Sequence, residues 1–151
     1  MTVAPDRREQ LIVSRSPAET EAFGRELGRR LQTGDVVLLY GELGSGKTVL
    51  CKGLAEGVCG IEPRAVTSPT YVLVHRYGQE RTLFHVDLYR LDKPEEVSAL
   101  ALEELLELGP MVIEWGEKAE GLTLPVRYRI WIEITGPEGR TIRLAELDPG
   151  T

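Results

Sequence analysis

Asparagine is absent from all 151 residues. That removes the Asn-Lys-x-Asp signature with which GTPases read guanine. None of the five aspartates has a glycine three positions later, so the usual Asp-x-x-Gly switch signature is missing too. Cysteine is scarce: Cys51 and Cys59 form no C-x-x-C pair and have no Cys/His cluster around them. This excludes a disulfide framework and a zinc-finger site, and fits small core residues in a reducing compartment. The two histidines, His75 and His85, also lack partners at metal-ligand spacing and read as structural, with a site role left open for His85, which lies next to Asp87 by strand alternation. Long apolar runs are missing. Val36–Tyr40 is far short of the roughly 20 residues a membrane helix needs. Met1–Gln10 carries Asp6, Arg7, Arg8 and Glu9 and has no apolar signal-peptide core. The expected location is the cytoplasm, with no membrane association. Positive charge is in deficit: 18 Lys and Arg against 24 Asp and Glu give −6. Such a chain has no electrostatic reason to grip nucleic acid by itself, so any contact with RNA should run through a partner.

What is present reads as globular, with 42% apolar and 28% charged residues. The length fits one domain spanning residues 1–151, and no linker divides it. Ser16-Pro17-Ala18-Glu19 opens a helix by a capping box with proline in the first turn, and Phe23, Leu27 and Leu31 form its apolar face. Val36–Tyr40 is the continuous apolar run of a strand buried on both sides. A helix is predicted from Lys47 to about Val58, closed by Gly60. Tyr71–Tyr77 and Thr82–Leu88 read as a hairpin joined by Gly78–Arg81. Asp92-Lys93-Pro94-Glu95 starts a second predicted helix with Val97, Leu100, Ala101, Leu105 and Leu108 on one face, ended by Gly109-Pro110. Met111–Ile113 is another buried strand. In the tail, Arg127, Arg129, Trp131 and Glu133 alternate with Tyr128, Ile130, Ile132 and Ile134. Gly136–Gly139 then turns the chain into a closing antiparallel strand over Arg140–Leu147. Alternating strands and helices followed by hairpins predict an α/β fold: a three-layer mixed sheet with antiparallel additions.

The strongest motif is Gly41-Glu42-Leu43-Gly44-Ser45-Gly46-Lys47-Thr48, which matches G-x-x-x-x-G-K-[ST] at every fixed position. A buried strand precedes it and a helix follows, as a phosphate loop (P-loop) requires. Glycines let backbone N–H groups turn toward phosphate oxygens, and the helix N-terminus adds its dipole and unpaired amides. Lys47 supplies a point charge at the outer phosphates, and the Thr48 hydroxyl is the expected Mg²⁺ ligand. The expected cofactors are therefore ATP and Mg²⁺.

A P-loop enzyme also needs a carboxylate for the metal and a group to position water. Two acids terminate apolar strands, Asp87 after Leu83–Val86 and Glu114 after Met111–Ile113. Ligands in open α/β sheets gather beyond the carboxyl ends of strands, so either acid could face the phosphates in either role. Thr67-Ser68-Pro69-Thr70-Tyr71 is hydroxyl-rich, and it reads either as a switch segment reaching the γ-phosphate or as an ordinary Ser-Pro turn. Trp115 reads as core or as a partner-facing rim.

Taken together, Tyr40–Thr48, Thr67–Tyr71, His85-Val86-Asp87-Leu88-Tyr89-Arg90-Leu91 and Ile113-Glu114-Trp115 resemble, in that order, the motifs of the TsaE (YjeE) family. The resemblance spans nearly the whole chain. It implies a small bacterial P-loop ATPase serving the pathway that places threonylcarbamoyl on adenosine 37 of tRNA, acting with TsaB and TsaD and touching tRNA only indirectly. It further implies phosphate and Mg²⁺ binding by Lys47 and Thr48, a metal-side or catalytic role for Glu114, a second essential carboxylate at Asp87, and switch-like roles for Ser68 and Thr70. Two positions depart from the family pattern: Val49 stands where a second threonine is common, and Gly116 where proline is common. A small-molecule kinase is the remaining rival, but the chain has no extra segment for an acceptor pocket or an arginine-bearing lid.

Overall fold

Among the described residues a single sheet of seven strands organises the chain, in the spatial order first, seventh, sixth, second, fifth, fourth and third strand of the sequence. The computed structural model describes residues 8–42, 44–60, 74–88, 91, 93, 95–96, 100–119 and 121–147. The elements are β1 (Arg8–Ser14), α1 (Pro17–Arg30), β2 (Val36–Tyr40), α2 (Lys47–Cys59), β3 (Val74–Tyr77), β4 (Leu83–Asp87), α3 (Leu102–Leu105), β5 (Met111–Glu114), β6 (Val126–Ile134) and β7 (Arg140–Glu146), with a 3₁₀ turn at Gly116–Ala119. The four central strands β6, β2, β5 and β4 run parallel, while β3, β7 and β1 are antiparallel to their neighbours. Parallel packing brings the ends of β2, β4, β5 and β6 to one edge of the sheet. The predicted mixed α/β architecture with antiparallel hairpins is the observed one.

Side-chain alternation divides the core into two layers. Val37 and Leu39 face α1 and α2 together with Leu27, Leu50, Leu54, Tyr128 and Ile130. Val36, Leu38 and Tyr40 face the other side with Phe84, Val86, Met111, Ile113, Leu102 and Leu106. β2 is therefore apolar at every position, as its unbroken run predicted. Ser16 caps α1 through the Glu19 amide, with Pro17 in the first turn, and Glu19 reaches back to the Arg15 amide at 3.0 Å.

Glycines bring α1 and α2 unusually close. A Cβ on Gly53 would stand 2.1 Å from the Glu21 carbonyl oxygen, and one on Gly57 2.2 Å from that of Arg25. From the other helix, Gly24 and Gly28 meet the carbonyls of Leu50 and Leu54 at 2.5 and 2.6 Å. Backbone thus packs on backbone, with no side chain available to give way. Gly53→Ala should cost about 2 kcal/mol by forcing the helices apart. Calorimetry should show a melting temperature lower by about 4–8 °C. An unchanged melting temperature would show that the seam can open freely.

Two expectations are corrected. The single amphipathic helix from Asp92 to Leu108 does not exist as one element. Ala101 has φ 51°, in the left-handed region, and only Leu102–Leu105 is helical beyond it. The break rotates Leu102 and Leu106 into the core and leaves Leu108 55% exposed. The first turn is closed by Glu96, which accepts from the Lys93 amide, whereas Asp92, Pro94 and Val97 lie outside the described residues. Nor does Arg140–Leu147 close the sheet. β7 is an interior strand flanked by β6 and by β1, an edge strand whose apolar run is only Leu11–Val13 after the polar Arg8, Glu9 and Gln10.

Candidate functional site

The P-loop leaves the end of β2 and enters α2. Gly44 and Gly46 have φ 79° and 109°, values that side chains resist and that let the chain reverse tightly here. Gly46 is the N-cap of α2, so no side chain caps this helix. The first backbone bond into the helix runs from the Leu50 amide to the Gly46 carbonyl, which leaves the preceding amides without intrahelical partners. An anion is the complement of such an end.

Lys47 and Ser45 strengthen this reading. Lys47 is 5% exposed, yet its Nζ makes no hydrogen bond among the described residues. It rests 3.9 Å above the ring centroid of Trp115. Ser45 Oγ is likewise buried without a partner among the described residues. Buried polar atoms are almost always paired, so an orphaned ammonium beside an uncapped helix is fitted to a ligand carrying negative oxygens. Trp115 itself has φ 62°, the kind of backbone strain that concentrates at functional sites. The hydroxyl of Thr48 and the carboxylate of Glu114 are hard oxygen donors, the class that suits Mg²⁺.

The two acids arrive on adjacent parallel strands, with Asp87 of β4 in register with Glu114 of β5. Glu114 is 3% exposed, and its Oε2 lies 2.5 Å from His85 Nε2. Asp87 is only partly buried. Cys51, one turn into α2, completes a buried group in which Cys51, His85 and Glu114 place ligand-type atoms within 4.8 Å of one another. Burial pushes the Cys51 thiol well above its usual range. The Glu114 and Asp87 carboxylates add to that push and Lys47 opposes it, so the thiol stays protonated. His75, in contrast, bonds Tyr77 on β3 and joins no such group.

Arg140 was not anticipated. Its Nε donates to the Ser45 carbonyl at 2.6 Å and its Nη2 to the Gly44 carbonyl at 3.3 Å. Its Nη1 holds the β6–β7 turn at Gly136 and Gly139. Because a trans peptide sets N–H opposite C=O, drawing the Ser45 carbonyl outward turns the Gly46 amide inward. Nothing local in the sequence signals this, since the partners are about a hundred residues apart. Gly116 also has a packing reason: a Cβ there would lie 3.0 Å from the ring of Tyr40, which stacks on Trp131. Of the sequence-based candidates, Gly41, Glu42, Gly44, Ser45, Gly46, Lys47, Thr48, Asp87 and Glu114 gather at this edge. Leu43, Ser68 and Thr70 lie outside the described residues.

Comparison with known proteins places the chain in a family. A family model described as threonylcarbamoyl adenosine biosynthesis protein TsaE matches residues 14–142. Similar proteins include the TsaE of Treponema pallidum, 38% identical over 88% of this chain and 98% of that protein. The TsaE of Streptomyces coelicolor is 48% identical over 67% and 70% respectively. The crystal structure of YdiB from Bacillus subtilis superposes with a TM-score of 0.74 and 26% identity over 95% of this chain and 89% of that one. The chain therefore belongs to the TsaE family of threonylcarbamoyl adenosine biosynthesis proteins.

Proposed function

We propose that this chain binds ATP with Mg²⁺ and hydrolyses it as the ATPase component of tRNA threonylcarbamoyladenosine biosynthesis at position 37, acting with TsaB and TsaD. Its similar proteins carry that pathway in their names. The observation that carries the nucleotide reading is the buried Lys47 ammonium without a hydrogen-bond acceptor at the mouth of an uncapped helix.

The residues divide the work as follows. The Gly44, Gly46, Lys47 and Thr48 amides and the Lys47 Nζ hold the phosphates, while the Ser45 amide closes the turn on the Glu42 carbonyl beside Gly41; Leu43, the remaining loop residue, lies outside the described residues. Thr48 and Glu114 hold the metal. When bound, Mg²⁺ neutralises charge on the outer phosphates. Asp87, the more open of the two acids, orients the attacking water. Ser68 and Thr70, which lie outside the described residues, are the hydroxyls offered to the γ-phosphate. Contact with tRNA is left to the partners, in keeping with a formal charge of −6. No helix among the described residues is long and apolar enough to cross a membrane, and the proposed place of action is the cytoplasm.

Titration with ATP and GTP, followed by phosphate release with and without TsaB and TsaD, tests this. The expected result is preference for ATP, weak turnover alone and stimulation by the partners. Equal affinity for GTP would overturn the ATP assignment. ATP binding without stimulated hydrolysis would instead make the chain an ATP-gated docking module.

A further inference from the structure

His85 was read from sequence as a structural histidine, and its surroundings assign it more. We infer that His85 is a positioning residue that fixes the Glu114 carboxylate for Mg²⁺ by hydrogen-bonding one of its oxygens and leaving the other free. This rests on the reading of Glu114 as the metal-side acid.

The geometry is specific. His85 and Glu114 sit on neighbouring parallel strands, both turned toward α2, and both are almost wholly buried. Nε2 to Oε2 is 2.5 Å, at the short end for a charge-assisted bond. Nδ1 has no hydrogen-bond partner among the described residues. An orphaned acceptor is cheaper to bury than an orphaned N–H, so the arrangement selects the tautomer with its hydrogen on Nε2, donating to the carboxylate. Glu114 has three side-chain torsions and would otherwise sample several rotamers. With Oε2 held from the sheet side and the neutral Cys51 thiol packed beside the pair, the carboxylate is left one orientation. Metal ligands commonly depend on such outer partners, and losing one typically costs about 10–100-fold in metal affinity or activity.

Three His85 variants separate positioning from mere packing. Glutamine places an N–H near the Nε2 position, asparagine places one near Nδ1 where it cannot reach Glu114, and leucine supplies volume alone. With the full chain and its partners, His85→Leu and His85→Asn should lower kcat or raise the Mg²⁺ requirement by about 10–100-fold. Affinity for ATP measured in EDTA should stay within about 3-fold in both, and His85→Gln should recover most of the loss. If the leucine variant does not fold, the glutamine–asparagine pair gives the same reading. Independently of hydrolysis, the proton spectrum of the parent should contain a strongly downfield imidazole N–H resonance, absent from His85→Gln and from Glu114→Ala. Equal activity of the asparagine and glutamine variants, or absence of that resonance, overturns the assignment. The resonance together with a parent chain that never hydrolyses ATP would leave the His85–Glu114 geometry standing and strike the ATPase reading instead.

Discussion

Lys47→Met is expected to lose about 10–100-fold in ATP affinity while melting no lower than the parent in the absence of nucleotide. The loss follows from the worth of a hydrogen bond to a charged group, about 1.5–3 kcal/mol, at 1.4 kcal/mol per tenfold. The retained stability follows from what Lys47 does without a ligand. Its Nζ is buried and makes no hydrogen bond among the described residues, an arrangement that opposes folding. Its contact with the Trp115 ring returns only about 0.5–2 kcal/mol. Methionine keeps the stem and its packing while discarding the charge. At an ATP concentration 100 times the dissociation constant, the parent should gain about 2.7 kcal/mol, or roughly 5–10 °C in melting temperature for a chain of this size. About half to five-sixths of that gain should vanish in the variant. An ATP-induced shift as large as the parent's would show that the phosphates lie elsewhere.

Glu114→Gln should lower Mg²⁺-dependent hydrolysis by about 10²–10³-fold, the usual effect of removing one preorganised electrostatic group, and leave ATP affinity in EDTA within a few-fold. The fold should survive because the amide oxygen can still accept from His85 Nε2, so no buried donor is orphaned. What disappears is the negative charge available to the metal beside Thr48. Single-turnover hydrolysis across a Mg²⁺ titration separates the two parts, since a weakened metal site shows as a higher Mg²⁺ requirement. Parent-like hydrolysis would remove Glu114 from the chemistry and leave Asp87 as the acid that matters.

The phosphate loop was legible because each of its requirements is local. Gly44 and Gly46 are needed for positive φ, Lys47 and Thr48 follow at fixed spacing, and the apolar run of β2 announces the strand that carries them. The strand ends at Asp87 and Glu114 were legible for the same reason, since an apolar run that stops at an acid marks the edge of a parallel sheet. β1 was not legible. Its apolar run is only Leu11–Val13, and with Leu11 and Val13 69% and 64% exposed it is pairing with β7, more than burial of an apolar face, that holds Arg8–Ser14 in the sheet. The broken helix around Ala101 was missed because left-handed backbone at an alanine leaves no trace in composition; the packing of Leu102 and Leu106 imposes it.

Sequence by itself determined the α/β class, the glycine-rich loop between β2 and α2 and the two acids at strand ends, because these follow from periodicity and from residue types a few positions apart. Tertiary structure decided what those groups touch. The register of β4 against β5 sets His85 on Glu114, and the β6–β7 turn delivers Arg140 to the carbonyls of Gly44 and Ser45. Glycine contacts between α1 and α2 fix how close the two helices lie. Each of these joins residues far apart in the chain, and such contacts exist only once strand order and helix packing have brought their backbones together.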